Sequence, residues 1–536
     1  MSQINFKKNH NFFVLFAIFW LLIFLIEYFL RSGHPYFICN DSFQYLSIAK
    51  NIYQKNQLTN ITQYALDLYY DELALFNYDF SAIKPYHFPS YSIFLSIFYY
   101  IYNNDNFVIY SSQYLSFLIF SYFSFLIFRY YFDIKKSLIL VFLVIFSTTI
   151  FTYISDSGKE IICSGLSIMV IYLSLYSPKK NRPYIKIILC LTFIFLVITR
   201  YFYLVLGFLI VFYNWLPANL KDDENSLSFR AKIADLLLLF LIPLSFYIFF
   251  YYFQNFHLFI FDNRTDIYGG KTISDFVFRF LTNSVVAFFM YFIIFFQIIQ
   301  DGFAIKNFTL LFSLFQIYGI SSIGMIIYFI HRLKNFKNHK KITKLLIVTL
   351  FFSAILFAVI IRFGLMGYRL IMAYIVFSVL IIYQSFFDKK TLRFANTEFL
   401  KYFFVILLIS NLLINIVILR GYSSINKDNY NKNNYALDYV QKFKPKFILA
   451  ESSFFMPYSM PFFHLYPSET YFYNNWGFEN ICADLENYHY HKINFDMIFT
   501  KKLFNENNCE FANKNFKLID FSQYGYIYYA NRKIIK

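Results

Sequence analysis

Long apolar runs separated by short polar segments set the pattern of this chain. Residues 12–30 carry a single charge, Glu27, near the end of the run. Nineteen helical residues at about 1.5 Å each cover a bilayer core of roughly 30 Å, so the run predicts a membrane-crossing helix. Similar runs at about 107–128, 138–154, 161–176, 185–199, 201–216, 233–252, 344–361, 370–386 and 401–419 predict further spans. Residues 90–102 are apolar but few, lying between Pro89 and Asn103-Asn104-Asp105; they predict an interfacial or re-entrant helix. Of 280–299 and 308–330, one is expected to cross and the other to lie at the interface. The total is about 11 crossings, or about 13 if the short and ambiguous runs also cross.

Basic residues decide the orientation. With 90–102 lying on the membrane, the inside segments hold Arg129, Lys135, Lys136, Lys179, Lys180, Arg182, Lys186, Lys221, Arg230 and Lys232. The outside segments hold half as many: Lys159, Arg200, Arg264, Lys271 and Arg279. This excess places the N-terminus, with Lys7 and Lys8, in the cytoplasm. A crossing at 90–102 would invert the bias. The basic run from His331 to Lys341 is the strongest inside signal, and it is what limits 280–299 and 308–330 to one crossing.

Composition narrows the class. At 58% hydrophobic and 15% charged residues the chain excludes a water-soluble globule. Its net charge of +17 sits in clusters between apolar runs, where it orients helices and does not read as a nucleic-acid surface. With 77 Phe and 50 Tyr, no single aromatic carries much functional weight. The first run is too long for a signal-peptide core and lacks a cleavage site, so it reads as a retained anchor.

From Arg420 onward the composition turns polar and mixed. Strand signals at 447–450, 497–500, 516–519 and 524–530 predict a small α/β domain. The predicted division is 1–419, a multi-span domain whose first non-cytoplasmic loop covers about 31–106, and 420–536, a soluble domain on the same side as that loop. Cys482 and Cys509 both lie in the tail, where an oxidising compartment would allow them to pair. No metal spacing such as C-x-x-C occurs, and no internal repeat is visible.

In this topology several polar groups gather at the outer membrane rim. They are Asp41, just beyond the first span; Ser155-Asp156-Ser157-Gly158-Lys159-Glu160; Thr199-Arg200-Tyr201; and Arg362 with Arg369 in one short turn. Carboxylates and guanidiniums at a wet rim suit a reaction on a lipid-linked anion. Arg grips phosphate with a planar fork of donors. A carboxylate takes a proton from an acceptor hydroxyl or holds a divalent ion. Each group also has a plainer role: Asp41 as a cap for a helix starting near Ser42, Asp156 and Glu160 as loop solvators or caps, and the arginines as snorkelling anchors.

Asp41-Ser42-Phe43-Gln44-Tyr45, with Ala49 in the following helix, resembles the first-loop motif of the GT-C superfamily of polyprenyl-phosphate-sugar-dependent glycosyltransferases. Within that superfamily the likeness is to the protein mannosyltransferase and lipid A aminoarabinose transferase group. Lys84-Pro85 resembles their Lys-Pro signature, Thr152-Tyr153-Ile154-Ser155-Asp156 their second acidic loop, and Ile198-Thr199-Arg200 their Leu-Thr-Lys/Arg turn. Arg369 before an apolar run resembles the basic residue ahead of their late helices. The likeness covers about residues 10–390. It implies Asp41 as catalytic base or metal-site carboxylate, Asp156 as second acid, and Arg200 and Arg369 as donor-phosphate contacts; Tyr45, Lys84 and Arg362 are further candidate substrate contacts. The chain has Ser42 where many relatives have a second acid, and Ile83 where some have Glu, so a metal site of the same design does not follow.

The expected activity is transfer of a sugar from a polyprenyl-phosphate donor to a protein, lipid or glycan acceptor on the non-cytoplasmic face of a bacterial inner or plasma membrane. No cofactor is required beyond a possible divalent metal ion. A transporter or flippase would place charge at mid-depth of the spans, of which there is almost none. A polymerase or ligase of envelope polysaccharide assembly would share the side and the lipid donor, but would lack an essential acid directly after the first span.

Overall fold

The computed structural model describes residues 6–30, 40–56, 63–64, 90–146, 150, 159–177, 182–200, 203–216 and 229–253, together with 373, 376–377 and 379–380. In the tail it describes 435–436, 438–445, 447–451, 471–475, 485, 495–500, 503–504, 509–523 and 525–531. The runs at 280–299, 308–330, 344–361 and 401–419, and most of 370–386, lie outside the described residues. Two compact units divide the chain: Met1–Leu25, Gln113–Ile154 and Lys159–Gly421 form one, and Ile26–Ser112, Ser155–Gly158 and Tyr422–Lys536 the other.

In the first unit, α1 (Phe6–Leu30) and α4 (Asp105–Tyr131) turn the usual polarity of a helix inside out. Phe16, Trp20 and Phe24 of α1 are buried one turn apart, yet the opposite face is equally apolar, with Ile18 at 54% and Leu22 at 54% exposure. Only lipid can satisfy such a surface. Polar groups go inward instead. Ser116, Ser121 and Ser124 of α4 are fully buried. Trp20 Nε1 donates to Ser121 Oγ at 2.7 Å, and Ser121 and Ser124 donate to the carbonyls of Phe117 and Phe120. Ring contacts Phe12–Phe125 and Trp20–Phe117 run the two helices antiparallel. The chain is an integral membrane protein.

The next helices follow the expected runs. They are α5 (Ile134–Ile145), α6 (Glu160–Ile171) with a π-helical turn Tyr172–Tyr176, and α7 (Pro183–Thr199). After these come α8 (Leu204–Trp215) and the continuous stretch of α9 (Phe229–Leu236), a π turn Leu237–Leu241 and α10 (Ile242–Phe253). Asp133 caps α5 by accepting from the N–H of Lys136, which holds its carboxyl below the usual carboxylate range. At 12 residues α8 is shorter than the predicted 201–216, because Arg200 leaves the helix at φ −151°.

α8 presses against the π turn at Gly207, where a Cβ would lie 2.2 Å from the carbonyl oxygen of Leu239. That oxygen belongs to the backbone and cannot swing away. Gly207→Ala is therefore expected to force the two segments apart at a cost of about 2 kcal/mol, read as a lower unfolding midpoint in detergent.

In the second unit, α2 (Asn40–Lys55) packs on α3 (Ser90–Ile101) through Tyr45 on Tyr91 and Tyr53 stacked on Tyr99. Asn56 ends α2 in the left-handed conformation, φ 53°, its N–H donating to the carbonyl of Ile52. Asn tolerates that conformation because its short polar side chain bonds locally. The 12 residues of α3 extend about 18 Å, well short of a bilayer core. Its outer face, with Ile97 and Ile101 more than half exposed, is apolar.

Five strands of the tail and one from the first loop form a six-stranded sheet of order β1-β3-β2-β4-β6-β5. Its strands are β1 (Gln63–Tyr64), β2 (Phe447–Glu451), β3 (Tyr471–Asn475), β4 (Met497–Thr500), β5 (Phe516–Ser522) and β6 (Gly525–Ala530). The β1/β3, β3/β2 and β2/β4 pairs are parallel; β4/β6 and β6/β5 are antiparallel. Leu449, Ile498 and Tyr528 stand in register across three strands and enter one core with Phe504, Phe516 and Ala512 of α11 (Glu510–Asn515). On the other face the ring of Phe443 lies tilted against Tyr529, 4.8 Å between centroids. β4 is buried along its whole length, which explains its unbroken apolar reading Met-Ile-Phe. Tyr435 and Tyr439 both donate to Asp520, at a register shift in β5, and hold its carboxyl below the usual range.

All four predicted strands are present. β3 and β1 were not predicted from the sequence, and β1 belongs to the loop after the first span. Cys509 is disulfide-bonded; Cys482, its expected partner, lies outside the described residues. Cys163 and Cys190 are buried free thiols.

Candidate active site

Asp41 lies in the first turn of α2, whose start at Asn40 puts the acid inside the helix instead of at a cap before Ser42. An acid in a first turn is favoured by the helix dipole. Its side chain, with those of Ser42, Phe43 and Gln44, lies outside the described residues, so the structure fixes the backbone that carries it. That backbone is firmly held. Lys50, buried near the other end of α2, sits 3.6 Å from Asp105 Oδ1, and Tyr99 Oη donates to the same oxygen at 2.6 Å. Burial pushes the Lys50 ammonium below its usual range, and Asp105 offsets part of that. Tyr99 rises well above the usual phenol range, through burial first and the adjacent carboxylate second. In sequence Asp105 marks only the edge of an apolar run. The signal that could have exposed the clamp is a lysine placed directly after the buried Leu46, Ile48 and Ala49.

Tyr45, nominated as a substrate contact, is 2% exposed with its ring edge-on to Tyr91 at 5.3 Å, so its described surroundings are the α2–α3 core.

Arg200 is the nominated residue whose charge the structure places most fully. α7 ends there because the backbone turns extended, and Arg200 Nη2 donates to Glu160 Oε1 at 2.6 Å. The two side chains are 9% and 3% exposed, so this arginine does not snorkel to water and Glu160 does not solvate a loop. Glu160 opens α6, in the first turn, where the dipole favours it. Cys163, one turn on, lies within electrostatic reach of Lys159, Glu160 and Arg200. Tyr203, at the start of α8, is 1% exposed and hydrogen-bonded to Ser167. The start of α6, the end of α7 and the start of α8 thus meet around one dry ion pair.

The opposite ends of these helices carry a second polar node. Lys186 Nζ bonds Asp235 Oδ1 at 2.7 Å, and Asn214 Nδ2 donates to Asp235 Oδ2 at 2.9 Å. Tyr131 and Tyr176 share a hydrogen bond of 3.1 Å. Lys186 begins α7, Asn214 lies near the end of α8 and Asp235 lies in α9, so the contacts at each end follow the up-and-down alternation of successive helices.

Asp156, Lys84, Arg362 and Arg369 lie outside the described residues. Among the described residues no group of three or more His, Cys, Asp and Glu is placed to hold a metal ion; the two carboxylates nominated for one, Asp41 and Asp156, have no described side chain.

No protein-family model matches the sequence, and no curated protein does. Among solved structures the chain is similar to the oligosaccharyltransferase of Archaeoglobus fulgidus in complex with zinc and sulfate, at 13% identity and a TM-score of 0.49, over 96% of this chain and 73% of that one. It is similar to the same enzyme tethered through a disulfide to an acceptor peptide containing the NVT sequon, at 12% identity, TM-score 0.49, 97% and 74% coverage. It is also similar to ArnT from Cupriavidus metallidurans bound to undecaprenyl phosphate, at 12% identity, TM-score 0.45, 97% and 98% coverage. Both proteins are GT-C glycosyltransferases.

Proposed function

We propose that the chain is a membrane glycosyltransferase that moves a sugar from a polyprenyl-phosphate donor to an acceptor hydroxyl or similar group on the non-cytoplasmic face. The observation that carries the reading is the buried guanidinium of Arg200, paired at the end of α7 with Glu160 at the start of α6. Asp156 precedes Glu160 by four residues in the sequence. A dry cation is what departure of a lipid phosphate needs.

In this reading Asp41 takes the acceptor proton as the acceptor oxygen bonds to the anomeric carbon. The bond from that carbon to the phosphate oxygen breaks, and the charge arriving on the phosphate meets Arg200 with Lys84, Arg362 and Arg369. Phosphate leaves readily when cations receive it, so no separate acid is required. Asp41 and Asp156 are the carboxylates that would hold a divalent ion, which would add Lewis-acid stabilisation of the leaving phosphate.

The pairing of β1 with β3 supports the topology. Gln63 and Tyr64, in the loop after the first span, take register with Tyr473 and Asn474. Strands in one sheet share one side of the membrane, so an even number of crossings separates them. With one crossing before β1 the total is odd, which agrees with a cytoplasmic N-terminus and with 420–536 outside as a small α/β domain.

Purified protein incubated with labelled polyprenyl-phosphate sugars is expected to release free polyprenyl phosphate. Single-cysteine variants are expected to label from outside at 156 and 475 and from inside at 181 and 337. Release from no donor, or positions 156 and 475 on opposite sides, would remove the proposal.

A further inference from the structure

The ion pair at Arg200 raises a question of charge balance. A guanidinium that only had to grip an anion would grip it harder without a carboxylate beside it. Yet Glu160 Oε1 stands 2.6 Å from Arg200 Nη2, in surroundings where neither side chain is more than a tenth exposed. Lys159, itself 6% exposed, adjoins in sequence. Out of water and away from salt, the field of Glu160 is weakly screened at this site.

The two lipids of the proposed reaction differ in charge. The donor is a phosphodiester with one negative charge. Once its bond to the anomeric carbon breaks and the acceptor oxygen takes the sugar, the lipid phosphate becomes a monoester, close to dianionic above a second pKa of about 6. A fixed carboxylate beside the phosphate-binding cation opposes the dianion about twice as strongly as the monoanion.

We propose that Glu160 is a positioning residue that favours product release: it holds Arg200 in place while its own charge tilts the site toward the monoanionic donor and away from the dianionic product lipid. The inference rests on the glycosyltransferase reading and on Arg200 as a phosphate contact. Glu160→Gln keeps a hydrogen-bond acceptor for Arg200 and removes the charge; Glu160→Asp keeps the charge.

The test uses the full chain at pH 8, comparing inhibition by free polyprenyl phosphate with KM for the donor. In Glu160→Gln the inhibition constant is expected to fall about tenfold while KM falls less than about threefold, and Glu160→Asp is expected to keep the wild-type ratio. An unchanged ratio in Glu160→Gln, or product binding that weakens with donor binding, would leave Glu160 a purely structural partner. Direct binding gives a second measurement, independent of turnover. On passing from wild type to Glu160→Gln, a dianionic long-chain alkyl phosphate is expected to gain about tenfold in affinity and the matching alkyl methyl phosphate less than about threefold, and equal gains overturn the proposal. Protein that releases lipid phosphate but shows equal gains defeats this inference alone; wild-type protein that binds neither lipid and releases nothing defeats the transferase reading beneath it.

Discussion

Asp41→Asn is expected to lower sugar transfer about a hundredfold or more while the protein stays folded. The substitution separates the two roles open to this residue. Asn serves a helix start as well as Asp does, donating and accepting through an amide of the same size. A purely structural acid in the first turn of α2 would therefore tolerate the change. A base would not, because a neutral amide cannot take the acceptor proton. The anchoring of α2 through Lys50, Asp105 and Tyr99 involves none of the atoms removed, so the helix should keep its place. Release of labelled polyprenyl phosphate reads the activity, and the unfolding midpoint in detergent reads the fold. Full activity with an unchanged midpoint would assign Asp41 to the helix start alone.

Asp235→Ala should produce the larger loss of stability, about 3 kcal/mol. It strips both partners at once, leaving the Lys186 ammonium buried without its counter-charge and Asn214 Nδ2 without its acceptor. Removing one member of a buried ion pair costs far more than removing both, since the remaining charge has lost water and gained nothing. The double variant Lys186→Met with Asp235→Leu is accordingly expected to recover most of the lost midpoint. Lys186 and Arg200 are 14 residues apart on α7, about 21 Å along the axis. The surviving folded fraction of Asp235→Ala should therefore transfer sugar at nearly the normal rate per molecule. A midpoint within a degree of wild type would show the node to be dispensable.

Much of the framework was legible in the residues. The helix α4 and the α9–α10 stretch, long and apolar enough to cross a membrane, and the shorter α6 and α7 fall on the predicted apolar runs, because burial in lipid demands continuous apolar sequence whatever the helix packs against. The four tail strands read correctly for a similar reason, each being a short run of branched and aromatic residues between polar breaks. β3, Tyr-Phe-Tyr-Asn-Asn, escaped notice in a chain where aromatics occur everywhere. β1 has two residues and no periodicity to find. At the site, Arg200 was legible from its turn, whereas Glu160 read equally well as a loop solvator. Its burial against a residue 40 positions away leaves no local trace.

Taken alone, the order of residues determined that this chain lives in a membrane and where its apolar helices lie, and it marked the acids and guanidiniums that interrupt them. These are one-dimensional properties: the cost of placing a charge or an apolar run in water or lipid depends mostly on the run itself. Tertiary structure decided the pairings. It brought Glu160 to Arg200, clamped α2 through Lys50 and Asp105, and added a strand from the first loop to the sheet of the tail. Hydrogen bonds and ion pairs act over a few ångströms of space and are indifferent to distance along the chain, so which partners meet is settled only when the helices and strands pack.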